Sequence, residues 1–139
     1  QVRCVAFSPD DKILASASDD NNIKFWNAST GEVITTLTSH QSKVNSVAFS
    51  SNGRILASAS NDNSIKLWDV GTGKEISTLT GHEHGVNSVA FSSNGKILVS
   101  ASNDNTIKLW NVATRKEIFT LTGHQDSVSD VAFSPDDKT

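Results

Sequence analysis

The three tryptophans, Trp26, Trp68 and Trp110, are the only ones in this chain of 139 residues, and they stand 42 residues apart both times (68 − 26 and 110 − 68). Ser16, Ser58 and Ser100 keep the same interval, as do Asp20, Asp62 and Asp104, and His40, His82 and His124. A fixed spacing of this order marks a repeat architecture, in which each unit buries its apolar surface against the next.

Each unit reads as four short strands. In the first, the runs Val2 to Ser8, Ile13 to Ser18, Ile23 to Trp26 and Glu32 to Thr38 are β-prone and separated by turn residues. Asp19-Asp20-Asn21-Asn22 is a turn, because Asp and Asn tolerate left-handed backbone and bond their own main chain. Asn52-Gly53 and Asn94-Gly95 predict type I′ hairpins, which need positive φ at both central residues. Gly31 and Gly73 close the loop after the third strand, and Arg115 takes that place in the third unit. No apolar face recurs at helical spacing. The expected boundaries are 1–38, 43–80 and 85–122 for three blade-like units, with the first strand of a fourth over 127–134.

Composition narrows the function. The net charge is −3 and no basic stripe is present, so nucleic acid is not the expected partner. Cys4 is the sole cysteine, which excludes an internal disulfide. Ser46 and Ser88 fill its equivalent positions, so it reads as a small packing residue. One unpaired thiol fits a reducing compartment, and the expected setting is cytoplasmic. No apolar run has the length of a membrane span, and no membrane role is expected. The chain begins at Gln1 and reads as processed or cut from a longer parent.

Gly-His, then Ser-x-x-x-Asp about twenty residues on, then Ile-Lys-Leu-Trp-Asp, resembles the WD-repeat family of β-propellers, whose period is about 40–45 residues with four strands per blade. Asn27 and Asn111 replace the Asp seen at Asp69, and Ser39 replaces the Gly before His40. The resemblance implies an all-β fold of four-stranded antiparallel blades, three plus one strand, forming part of a larger closed ring. It also implies a structural network in which His bonds Ser, Ser bonds the Trp indole, and Asp bonds His. His40 then serves Ser58, Asp62 and Trp68, and His82 serves Ser100, Asp104 and Trp110. Ser16, Asp20 and Trp26 lack a His, and His124 lacks the other three.

Histidine, serine and aspartate in register are also the chemistry of nucleophilic catalysis. A buried tryptophan N–H and serine hydroxyl need partners in any case, and that reading is preferred. The expectation is no enzyme and no cofactor. His82-Glu83-His84 is a candidate metal pair, but it lacks further ligands. Asn61-Asp62-Asn63-Ser64 lacks the glycine and distal Glu of a calcium loop.

The expected function is a non-enzymatic protein-binding scaffold. The resemblance places the partner-binding face at Arg3 and Asp19, Lys43, Asn45 and Asn61, Asn87 and Asn103, and Ser129, with Gln1, Gly85 and Ser127 in matching positions. The alternative is a purely structural fragment that self-assembles. Three units fall short of a ring of about 4–8 blades, so either a homo-oligomer or a longer chain is expected. Near-identical units of this style also resemble the arrays of bacterial multidomain signalling proteins.

Overall fold

The computed structural model describes all 139 residues, Gln1–Thr139. Twelve strands build three four-stranded antiparallel sheets, and there is no helix. The first sheet holds β1 (Val2–Phe7), β2 (Ile13–Ser18), β3 (Asn22–Asn27) and β4 (Val33–Thr38). The second holds β5 (Val44–Phe49), β6 (Ile55–Ser60), β7 (Ile65–Asp69) and β8 (Glu75–Leu79). The third holds β9 (Val86–Phe91), β10 (Ile97–Ser102), β11 (Ile107–Asn111) and β12 (Lys116–Leu121). Strand order within each sheet follows the sequence.

The sheets stack face to face through two apolar clusters. Ala15, Ala17, Ile23, Phe25 and Leu37 of the first blade meet Val44, Val47, Leu56 and Trp68 of the second. Ala57, Ala59, Ile65, Leu67 and Leu79 of the second meet Val86, Val89, Leu98, Trp110 and Val112 of the third. Each second strand buries both faces, because alternate residues point to opposite neighbours. In β6, Leu56 and Ser58 look back while Ala57 and Ala59 look forward, and all four are buried.

Each sheet carries two bulges in matching places. On the innermost strand the register skips Arg3, Asn45 and Asn87. On the outermost it skips Ile34, Ile76 and Ile118, all three of which are exposed.

Two expectations are corrected. The hairpins at Asn52-Gly53 and Asn94-Gly95 are not type I′: positive φ occurs at Gly53 (69°) and Gly95 (70°) but not at the asparagines. Gly53 N–H instead donates to Ser50 O at 2.8 Å, closing a turn over Ser51-Asn52 before the left-handed glycine. The Asn52 carboxamide oxygen fixes this shape by accepting from Ser50 Oγ and the Arg54 N–H, at 2.8 and 3.0 Å. The second correction concerns 127–134, which forms no strand. The segment lies against the third blade, but a strand needs a ladder partner and its would-be second strand has no counterpart in this chain.

Arg115 adopts φ +64°, close to Gly31 at +74° and Gly73 at +69°. Its guanidinium donates to the Val112 carbonyl, which offsets part of the strain. Arg115→Gly is therefore expected to stabilise by at most about 1 kcal/mol, since glycine reaches this conformation freely. Urea unfolding of the two proteins checks it; a clear loss of stability would show that the guanidinium contact outweighs the backbone.

Candidate functional site

Antiparallel alternation puts the second-to-third-strand turn and the blade-to-blade connection at the same end of each sheet. That end carries Asp62 and His40 for the second blade and Asp104 and His82 for the third. His40 Nδ1 lies 2.7 Å from Asp62 Oδ2, and its Nε2 lies 2.7 Å from Ser58 Oγ. The Trp68 indole N–H donates to Ser58 Oγ at 2.9 Å. Distances in the third blade are the same: His82 to Asp104 2.7 Å, His82 to Ser100 2.7 Å, Trp110 to Ser100 2.9 Å.

The tautomer follows from the partners. A carboxylate only accepts, so Nδ1 carries the proton, and Nε2 is left to accept from the serine. The serine oxygen in turn accepts a hydrogen bond from the indole N–H. Burial, aided by the Lys108 ammonium, keeps His82 below its ordinary 6.5 despite Asp104 and Glu117. Burial also opposes ionisation of Asp104, but hydrogen bonds from Thr106, His82 and the Glu83 and Thr106 backbone N–H groups hold its carboxyl well below 3.8. Asp62 is held low against its own burial by His40, Ser64 and the Gln41 N–H. The hydroxyls of Ser64 and Thr106 are members of this cluster that the motif does not include. Their signal in the sequence is a hydroxyl residue two places after Asp62 and Asp104, where the first blade has Asn22.

Aspartate–histidine–serine contacts of this kind would activate a nucleophile if a substrate could reach them. Here Ser58 and Ser100 are 0% exposed and their oxygens are already engaged by tryptophan. The nearest depression, lined by Gly81, Glu83, Asp104, Thr106, Lys108 and Thr120, includes neither Ser100 nor His82. The geometry ties strands together and has no reacting position.

The ends of the array hold incomplete sets. Trp26 donates to Ser16 Oγ at 2.9 Å with no histidine beyond it, and Asp20 accepts from the Asn22 N–H at 3.1 Å. His124 is exposed. His84 is exposed too, whereas His82 two residues earlier is buried.

The residues assigned to the partner-binding face form a band along the same end. Arg3, Asn45 and Asn87 are the bulged residues of the innermost strands, and a bulge re-aims its side chain away from the ladder. Asn45 Nδ2 donates to Asn61 Oδ1 at 2.7 Å and to Val86 O at 2.9 Å, bridging two blades. Asn87 repeats this with Asn103 at 2.7 Å and Val128 O at 3.0 Å. Gly85 fits between: a Cβ there would stand 2.8 Å from Asn61 Oδ1. In the first blade the amide pair is replaced by charge. Arg3 Nε donates to Asp19 Oδ1 at 2.5 Å, and Lys43 Nζ lies 3.9 Å from Asp19. The hydrogen bond from Arg3 holds the Asp19 carboxyl pKa below its ordinary value. Ser127 and Ser129 are exposed on the last segment, outside this hydrogen-bonded band.

Stacked four-stranded blades joined through their tops are β-propeller blades. The family model "WD domain, G-beta repeat" matches residues 1–27, 31–69, 73–111 and 115–139, and the chain belongs to that family. Solved structures reported as "Structure of U3-55K" and "Crystal structure of RRP9 WD40 repeats" are similar at TM-scores of 0.90, with 33% and 34% identity over 93% of this chain. The chain spans 41% of each of those. Among curated relatives, Periodic tryptophan protein 2 of Arabidopsis thaliana is 42% identical over 45 residues, which is 32% of this chain and 5% of that protein. An uncharacterised WD repeat-containing protein of Nostoc sp. is 46% identical over 45 residues, 32% of this chain and 3% of its own length.

Trp68→Ala should destabilise by about 3–5 kcal/mol, the range for removing a large core side chain, because the Ser58 hydroxyl also loses its donor. His84→Ala should leave the melt unchanged. Denaturant unfolding of both, beside His82→Ala, checks the assignment; equal losses at 82 and 84 would overturn it.

Acid should weaken the fold in two stages. With His82 held neutral, the unfolded chain binds the extra proton first, so stability falls as pH drops below 6.5. The lowered carboxyls of Asp62 and Asp104 contribute stability that is whole above 3.8 and lost as pH falls through and below it. Melts at pH 7, 5 and 3.5 test the sign. A gain in stability between 7 and 5 would mean the histidine is charged in the folded state.

Proposed function

We propose that the chain is a non-enzymatic scaffold that presents its top face, built on Arg3, Asp19, Lys43, Asn45, Asn61, Asn87 and Asn103, to a protein partner. The observation that carries this reading is the bulge at 3, 45 and 87, which aims the same position of every blade at that end. Membership of a family that is generally made of non-catalytic scaffolds supports it. The face is polar and lacks aromatic residues, so it favours an extended peptide bonded through carboxamides over an aromatic anchor. Arg3 and Lys43 are the cations at its first-blade end. With a net charge of −3 it offers little to a nucleic-acid backbone.

Selection of binding peptides from a random library, followed by substitution, tests the face. Lys43→Glu and Asn61→Asp should each weaken the selected peptides about tenfold, roughly 1.4 kcal/mol. Lys96→Glu, in a hairpin turn at the opposite end, should have no effect. Binding that survives the first two and is lost with the third would place the partner site at the other end.

A further inference from the structure

The turns at the end opposite the histidine network change in charge from one blade junction to the next. Between the first and second blades, Asp10, Asp11 and Asp69 stand among Lys12, Arg54 and Lys74, and the charges cancel. One repeat on, between the second and third blades, the acid positions hold Asn52, Gly53 and Asn111. The cations are kept as Arg54, Lys96 and Lys116, and Arg115 is added where the earlier blades have glycine. None of these four cations forms an ion pair, in a chain whose net charge is −3. Glu117, next to Lys116, is engaged by Lys108 at 2.9 Å, and Asp137 by the Ser93 N–H at 2.8 Å.

A cavity of about 380 Å³ opens at this junction and has no equivalent at the one before it. Ile55 of the second blade and Val112 and Ala113 of the third are its apolar lining. Lys96, Asn111 and Arg115 are its polar lining, and Gly95 completes it. The walls are tied together. Val112 N–H donates to Lys96 O at 3.0 Å, joining the hairpin to the loop. Asn111 accepts twice at 2.9 Å, at its carbonyl from the Arg115 N–H and at Oδ1 from the Thr114 N–H.

Arg115 sets this junction apart. Every other residue at positive φ is glycine, asparagine or aspartate, and Arg115 stands at +64°. A left-handed backbone is unfavourable for arginine, and Gly31 and Gly73 show what the loop takes without strain. The contact with the Val112 carbonyl engages Nη1 alone. A guanidinium carries five N–H donors, so others are left, and its planar fork matches a carboxylate. A strained residue that brings a cation to the lining of a cavity marks a site.

We propose that this cavity binds a short acidic and apolar segment of a protein partner. A side chain of leucine or phenylalanine size rests on Ile55, Val112 and Ala113, and flanking Asp or Glu carboxylates are taken by Arg115 and Lys96. The apolar lining selects this guest over others of the same charge. A phosphate group gains the cations but lies against Ile55 and Val112, and burying so much charge on apolar surface is unfavourable. A nucleic-acid backbone needs a continued run of cations, which the neighbouring junction interrupts with Asp10, Asp11 and Asp69. Arg54 and Lys116 are exposed and outside the lining, and they draw an acidic segment in from a distance. The site is at the opposite end from the top face and works independently of it.

Fluorescence anisotropy with labelled, amidated heptapeptides tests the proposal. The probes alternate Asp with Leu, Lys with Leu, and Asp with Ala. The Asp–Leu peptide should bind, and the other two at least about tenfold more weakly, one lacking the charge and the other the apolar side chain. Arg115→Gly and Lys96→Glu should each weaken the Asp–Leu peptide about tenfold. Lys43→Glu, at the top face, should leave it unchanged. Arg115→Gly is the decisive variant, because glycine relieves the loop and the urea midpoint should hold or rise while binding falls. If that midpoint drops instead, Ala113→Glu in the same exposed turn decides, and it must abolish binding. Absence of Asp–Leu binding at about 1 mM would overturn the proposal, as would binding indifferent to Arg115→Gly and Lys96→Glu. Equal binding of the Asp–Ala peptide would overturn the apolar seat, and displacement by equimolar inorganic phosphate would make this a phosphate site. Loss of binding with Lys43→Glu would move the peptide to the top face.

Discussion

A four-stranded sheet with apolar residues on both faces cannot shed them to one side, and everything else in this molecule follows from that. The second strand of each blade turns small residues forward and a leucine and serine back, so that one sheet's Ala57 and Ala59 admit the next sheet's Trp110 and Val89. Close approach of that kind is worth more than the area alone, because dispersion contacts fall off within an ångström of poor fit. The tryptophan brings an N–H into the dry layer, and the serine behind it is the acceptor that makes the burial tolerable. Histidine and aspartate then satisfy the serine and lead the chain of hydrogen bonds out to the top surface. Packing comes first; the polar network exists because of what packing buries.

That order explains why the site was largely legible in the sequence. Histidine, serine, aspartate and tryptophan keep one interval, and each has a single role that a buried layer demands of it. The bulges were not legible. Nothing in Val44-Asn45-Ser46 says that the register skips a residue, because bulge formation depends on the pairing of two strands and not on either alone. The asparagine–glycine hairpins misled for a related reason. The pair suits a type I′ turn, but Ser50 and Ser92 offer hydroxyls that capture the asparagine oxygen and set a different loop. The last segment failed to become a strand although its residues match β1, which shows that β structure here is decided by the presence of a partner and only weakly by propensity.

The aspartate–histidine–serine arrangement is a lesson in reading chemistry from contacts. Its hydrogen bonds match those of an acyl-transfer site, and even the neutral imidazole is the correct state. What separates the two is access: the serine oxygen accepts from an indole that nothing can move aside without opening the blade interface. The same hydrogen-bond pattern can serve reaction or rigidity, and burial of the oxygen selects rigidity.

Every free strand edge in the array carries a bulge, at Arg3, Asn45 and Asn87 inside and at Ile34, Ile76 and Ile118 outside. An unpaired edge is a template on which a foreign strand can grow the sheet, and interrupting its ladder is one way that β proteins refuse such growth. The exposed isoleucines of the outer rim would otherwise sit on a regular, sticky border of the type that seeds fibrils. Breaking the border in every unit withholds that template, and the contact left to a blade is the one it already makes, face to face with the next sheet.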